Sequence, residues 1–251
     1  MSPIKGSAST LGCLANRSYR RSRLMKREGQ SRFKGIRTSL CSSRRGSIIL
    51  TAMAVLTSAT LLTGYTHWPR SPVQLVQGSN MARSGLRASW EKGDVVVLVR
   101  HGERCDRSSN ECLGPNDGIT HNGSVVSADV GQSLKELGLA QIDVITSPMT
   151  RTVQTAQSMF GHPVQAQGWL YDCDETMLEQ VMVHKSAKRN LILVTHSGCI
   201  SQLESLHGYP HAGTSAYDSA LFISLDARGQ PVIRGIVNPE DWKQLAQPNT
   251  R

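Results

Sequence analysis

Acidic residues are all but missing from the first 46 positions, where Glu28 stands alone against 12 Lys or Arg. From Gly46 to His67, Asp, Glu, Lys and Arg are missing altogether. The formal net charge of +9 is therefore a property of the N-terminal tail. The rest of the chain holds 16 basic and 18 acidic residues and is close to neutral. A basic tail of this kind suits a membrane surface, a targeting signal or nucleic acid. Aromatic residues make up 5% of the chain and barely interleave with the tail's charges, so base stacking is not expected and neither is a nucleic-acid partner. No two of the six cysteines stand as C-x-x-C, which argues against a zinc site. No internal repeat is present, which removes solenoids and propellers.

The uncharged stretch reads SIILTAMAVLTSATLLTGY, Ser47–Tyr65, and follows Arg44-Arg45 directly. At ~1.5 Å per residue it is about long enough to span a bilayer core, although Thr and Ser make it a mediocre span. The positive-inside bias keeps the tail cytoplasmic and sends the remainder across the membrane. The division expected is a disordered cytoplasmic tail over 1–46, a signal anchor or cleaved signal peptide over 47–66, a linker over 67–93, and one folded domain over 94–251. Cys13 and Cys41 precede the apolar stretch; Cys105, Cys112, Cys173 and Cys199 follow it. An even number on the exported side suits an oxidising compartment. Cys105 and Cys112 flank a short polar loop and are placed to bridge locally, which leaves Cys173 and Cys199 as the other pair; free buried thiols are the alternative.

Val95–Val99 is wholly apolar, as in a parallel strand covered on both faces. Helices are expected over about 124–137, from Ser147-Pro148 to about 160, over 175–187 and over 198–206. Strands are expected at 142–146, 164–167, 191–195, 221–225 and 232–237. Alternation of this kind means an α/β fold, three layers α/β/α around a mostly parallel sheet.

In such sheets ligands gather beyond the carboxyl ends of the strands. Three strand ends carry chemistry. VVVLV runs into Arg100-His101-Gly102-Glu103, the second strand ends at Ser147-Pro148 four residues before Arg151, and LILVT runs into His196-Ser197-Gly198. Two arginines and two histidines then share one crevice. Arg offers a planar fork of donors to phosphate oxygens, and Arg151 near a helix start adds N–H groups and the positive dipole end. Gly102 is expected to let backbone approach the anion. A neutral imidazole attacks phosphorus directly, and nearby guanidinium charge favours the neutral form. No metal or other cofactor is required for such a site.

Arg100-His101-Gly102 after a strand, Ser147-x-x-x-Arg151-x-x-x-Thr155-Ala156, Thr195-His196 after a late strand, and Gly118-Ile119-Thr120-x-x-Gly123 together resemble the histidine phosphatase superfamily, the phosphoglycerate-mutase-like proteins. The resemblance covers roughly residues 95–237. RHGERCDRSSNECL, the Cys173 region, Cys199 and the apolar segment resemble more narrowly the lipopolysaccharide core heptose(II)-phosphate phosphatases of two-membrane bacteria. That group usually has Ala where this chain has Gly102.

The resemblance implies that His101 is the nucleophile and that Arg100, Arg151 and His196 hold the phosphoryl oxygens. A carboxylic acid would protonate the leaving oxygen. Position favours Glu175, with Asp172 and Asp174 as competitors. Glu103, Thr120 and Ser197 are candidates for substrate contact. The implied activity is hydrolysis of a phosphate monoester on an envelope sugar in the periplasm, by an enzyme anchored through 47–66 or released after cleavage. The alternatives are action on another sugar phosphate, as phosphatase or mutase, and a non-catalytic domain that binds phosphorylated glycans. Oligomeric state is not legible.

Overall fold

A computed structural model of the chain describes residues 44–66, 68 and 70–246. Cys13, Cys41 and nearly all of the expected tail lie outside the described residues, as does His67. The described residues divide into two units, which part between Ala54 and Val55. The first helix, α1 (Arg44–Thr66), contains a stretch, Gly46–Thr66, with mean hydropathy 1.7 and no residue buried. By length and composition it is able to cross a membrane. Its threonines do not leave their hydroxyls unpaired: Thr51, Thr60, Thr63 and Thr66 each donate to a carbonyl three or four residues back. That is the internal satisfaction a helix needs in hydrocarbon, and it offsets the polar content that weakens this stretch as a span.

The second unit is built on a six-stranded sheet. Its strands are β1 (Val95–Arg100), β2 (Ile142–Thr146), β3 (Gln165–Ala166), β4 (Asn190–Thr195), β5 (Ala220–Leu225) and β6 (Pro231–Val237), in the order β3-β2-β4-β1-β5-β6. The pairs among β1, β2, β3 and β4 are parallel, and β5 is antiparallel to both its neighbours. Side chains along β1 alternate between two cores, which explains its unbroken apolar run. Val95, Val97 and Val99 enter one core with α4 (His121–Leu137), α5 (Thr150–Phe160) and α9 (Trp242–Ala246). Val96 and Leu98 enter the other with α6 (Trp169–Asp172), α7 (Met177–His184) and α8 (Ser197–Leu206). This is the three-layer α/β/α arrangement that the sequence predicts.

Two expectations change. The stretch taken as linker carries α2 (Asn80–Ser84) and α3 (Leu86–Lys92), and Leu75, Met81 and Leu86 sit in the first core. Gln74 bridges to Ile236 beside β6, so backbone pairing and apolar burial tie this segment down. The helix expected from Ser147-Pro148 instead begins at Thr150, with Met149 at its cap. Ser147 is wholly buried and has another partner.

Candidate active site

Strands β2, β4 and β1 are neighbours, so their carboxyl ends bring Ser147, His196 and Arg100-His101 side by side. The His101 backbone N–H donates to Thr195 O at 2.9 Å, and that of Arg100 to Ser219 O at 2.9 Å. The nucleophile candidate thus leaves the sheet with its backbone fixed on both sides. The His101 and His196 ring centroids are 5.5 Å apart, edge to face. His101 is only 3% exposed.

Hydrogen bonds set the tautomers. His101 Nδ1 lies 2.9 Å from Gly102 O, which only accepts. Nδ1 therefore carries the hydrogen and Nε2 keeps its lone pair. Burial first, then His196 and the Arg151 and Arg100 charges, press the His101 pKa down to about 3. His196 is depressed to about 4, by burial and then by Arg151, Arg104 and Arg100. Both imidazoles are neutral at ordinary pH. His196 Nε2 is 2.9 Å from Ser147 Oγ, and its Nδ1 faces Arg151 Nη2 at 3.4 Å. Arg only donates, so in this state Nδ1 accepts and Nε2–H donates to Ser147. The Ser147 hydroxyl also rotates to donate, which would move the hydrogen to Nδ1 and turn it toward an incoming oxygen.

Arg100 and Arg151 are held by few contacts. Arg100 Nη1 donates to Ser215 O, and its guanidinium lies 4.1 Å from the centre of the Tyr217 ring. The Nε of each arginine is buried without a hydrogen-bond partner among the described residues. Burial, as the first cause, lowers both guanidinium pKa values. Unpaired buried donors are costly, and an oxyanion satisfies them. Arg151 is placed by α5, whose Thr155 lies one turn further on. Thr155 donates to Arg151 O and accepts from Gly102 N at 2.9 Å, tying the nucleophile loop to the arginine's helix.

An open cleft of about 400 Å³ lies over these groups, lined by Arg100, His101, Arg104, Arg107, Arg151, Tyr171, Asp172, His196 and Ser197. Ser197 is therefore in place, whereas several other candidates are not. Glu103 accepts from Thr120 Oγ1, Asn110 Nδ2 and Ser108 Oγ, at 2.6, 2.9 and 3.0 Å, and these bonds lower its pKa. Thr120 is fully buried and caps α4 by accepting from Gly123 N. Glu103 and Thr120 thus organise the loop and do not line the cleft. Among the carboxylates, Asp172 lines it and Glu175 does not. Asp174 accepts from the N–H and hydroxyl of Thr176 and is spent on that turn.

Gly102 stands behind the imidazole, not in the cleft wall. A Cβ there would meet Ser127 Oγ at 2.9 Å, Gly123 O at 3.2 Å and Asp218 Oδ2 at 3.3 Å. Its glycine serves packing of the nucleophile loop. Asp218 is 1% exposed, and burial pushes its pKa up to about 7. Ser127 Oγ lies 2.8 Å from Gly123 O and 2.7 Å from Asp218 Oδ1. One hydroxyl hydrogen serves one acceptor at a time, and a proton on Asp218 completes the other bond.

The four cysteines that follow α1 pair as Cys105–Cys112 and Cys173–Cys199, with Cα separations of 5.2 and 4.4 Å. The first braces the loop that carries Arg104 and Arg107. The second ties the residue after Asp172 to α8, behind His196. Sequence reasoning passed over Ser147's role and the two loop arginines, although Arg104 and Arg107 stand in the same run as His101.

Residues 96–174 match the family model of the histidine phosphatase superfamily, branch 1. The match includes Arg100, His101, Arg151 and Asp172, and the geometry adds His196. The chain is 28% identical over 170 residues to the lipopolysaccharide core heptose(II)-phosphate phosphatase of Escherichia coli K12/DH10B, covering 66% of this chain and 80% of that one. Among solved structures it is similar to the protein histidine phosphatase SixA complexed with tungstate (17% identity, 59% of this chain and 98% of that one, TM-score 0.46). It is also similar to phosphoserine phosphatase from Entamoeba histolytica with 3-phosphoglyceric acid (16% identity, 57% and 96%, TM-score 0.45). Over residues 96–174 the chain is similar to the histidine phosphatase superfamily, and this match together with the phosphatase relative supports a phosphoric monoester hydrolase.

Proposed function

We propose that this enzyme removes phosphate from a heptose of the lipopolysaccharide core on the periplasmic side of the inner membrane, through a phosphohistidine at His101. The observation that carries the chemistry is the pairing of two neutral imidazoles, ring centres 5.5 Å apart, with two arginines whose buried Nε donors are unpaired. The apolar α1, the two disulfides and the name of the Escherichia coli relative support the setting and the substrate.

His101 Nε2 attacks phosphorus in line with the ester oxygen. The N–P bond forms as the P–O bond breaks, and the leaving oxygen takes a proton from Asp172. Glu175, favoured by position in the sequence, gives way to Asp172 because only Asp172 faces the cleft. Water then gives a proton to the Asp172 carboxylate and attacks phosphorus. The N–P bond breaks, and inorganic phosphate and the free imidazole return. Arg100 and Arg151 donate to the equatorial oxygens throughout. His196 donates from Nδ1 once Ser147 supplies the hydrogen bond to Nε2. The cations fixed in the site provide the charge stabilisation that accounts for most of the rate in such reactions, so no metal enters the scheme.

The test is phosphate release from purified core oligosaccharide, with the product glycan weighed by mass spectrometry. The parent should remove one phosphate from the heptose, and His101→Ala should not. Equal release by both proteins would overturn the mechanism. Release from simple esters but not from the core would overturn the substrate.

A further inference from the structure

The cleft holds more positive charge than one phosphoryl group needs. Arg100 and Arg151, with their unpaired Nε donors, match a phosphoryl dianion. Two further arginines, Arg104 and Arg107, line the same cleft. Arg104 is neutralised locally, because Asp106 accepts from both its Nε and its Nη2. Arg107 makes no ion pair among the described residues; Asp106 feels its charge but is held by Arg104. Asp172 lines the same cleft but makes no ion pair with Arg107 among the described residues. One cation is left over beside the phosphoryl position.

The loop that presents this cation is heavily built. Arg104 caps a single 3-10 turn, Cys105–Arg107, and Arg107 is its last residue. The turn is pinned by the Cys105–Cys112 disulfide and by the Cys105 N–H donating to Gly118 O at 3.0 Å. Bridges at Arg104–Ile119 and Cys112–Thr120 hold its two arms, and the Glu103 carboxylate gathers Ser108, Asn110 and Thr120 beneath it. A surface arginine kept only for solubility needs no such frame. At about 400 Å³ the cleft is also of the size of small-molecule sites, well beyond what a phosphoryl group fills.

We propose that Arg107 forms a second anion subsite, so that the preferred substrate is a phosphorylated sugar with a further phosphate or carboxylate near the scissile ester. This rests on the phosphatase reading of the same site and specifies its substrate class. Recognition at Arg107 is a charge-assisted hydrogen bond in a half-open cleft, so about tenfold in apparent affinity is expected.

Three matched compounds test it: glucose 1-phosphate, glucuronic acid 1-phosphate and glucose 1,6-bisphosphate. Each competes against p-nitrophenyl phosphate hydrolysis by the full chain, so the readout does not require that the sugar itself turn over. At least one of the two doubly anionic compounds should compete about tenfold better than glucose 1-phosphate. Which one does so tells a carboxylate from a phosphate. Arg107→Ala should erase that preference, Arg107→Lys should keep part of it, and 0.5 M salt should shrink it. Equal competition by all three in the parent, or a preference that survives in Arg107→Ala, would overturn the subsite while p-nitrophenyl phosphate hydrolysis upholds the phosphatase. No hydrolysis of p-nitrophenyl phosphate would overturn both.

Discussion

Lowering the pH separates a buried nucleophilic imidazole from an ordinary one. A histidine with the usual pKa near 6.5 is only roughly 3% neutral at pH 5, so attack through it would fall about 25-fold between pH 7 and pH 5. His101 is pressed down to about 3, chiefly by its burial, so it keeps its lone pair across that range. The pH dependence of kcat/KM reports free enzyme and free substrate. After correction for the ionisation of the ester itself, the acid limb should lie below pH 5. The paired measurement is NMR titration of the two ring nitrogens of His101 in the unliganded enzyme. Nε2 should stay unprotonated, and Nδ1 protonated, down to about pH 4. Arg151→Gln should move the titration upward only slightly, because burial outranks the arginine charges as the cause. An acid limb near 6.5 together with a His101 titration near 6.5 would refute the reasoning. It would mean that the imidazole is solvated and that the arginine ring does not shield it.

Further expectations concern other residues. Asp172→Asn should lower kcat far more for alkyl phosphates than for p-nitrophenyl phosphate, whose leaving group needs little protonation, whereas Glu175→Gln should change both little; the reverse pattern would restore Glu175 as the acid. Gly102→Ala should cost about 1–3 kcal/mol by overpacking against Ser127, measured by denaturant unfolding, and a variant as stable as the parent would contradict the geometry. Glu204 is fully buried, neither of its carboxylate oxygens has a hydrogen-bond partner among the described residues, and burial lifts its pKa to about 7. Its folded pKa exceeds the unfolded value near 4.5, so the folded state binds more protons between those values and stability falls as pH rises through that window. Glu204→Gln should therefore gain about 2 kcal/mol relative to the parent between pH 5 and pH 8; a constant difference would show that Glu204 does not titrate in the folded protein. His101 and His196 act in the opposite sense, since their depressed pKa values cost stability as pH falls below 6.5.

The legible part of this protein was the part written in consecutive residues. β1 is read from five apolar residues in a row, and its end from the charges that follow. Because parallel strands place their carboxyl ends together, the sequence alone gathers His101, Arg151 and His196 at one crevice. The cysteine pairs were legible for a similar reason: only one pair flanks a short loop. What failed depended on contacts distant in sequence. Ser147 read as a helix cap, since Ser-Pro before a helix commonly is one, but His196, 49 residues on, takes its hydroxyl. Glu175 was favoured by its place before α7, yet the turn at Cys173 leaves Asp172 facing the cleft. Gly102 was given to the anion, whereas its partners are Ser127 and Asp218, the latter 116 residues away in sequence. The supposed linker offered Leu75, Met81 and Leu86 singly, with no periodic run to mark their burial.

The most direct test of the central claim is to quench the enzyme within milliseconds of mixing with a phosphoester, under alkaline conditions that preserve phosphoramidates, and to map the label by mass spectrometry. The account predicts one phosphate, on Nε2 of His101, absent from His101→Gln. Label on His196 or on a carboxylate, or turnover with no labelled intermediate at any time, would contradict it.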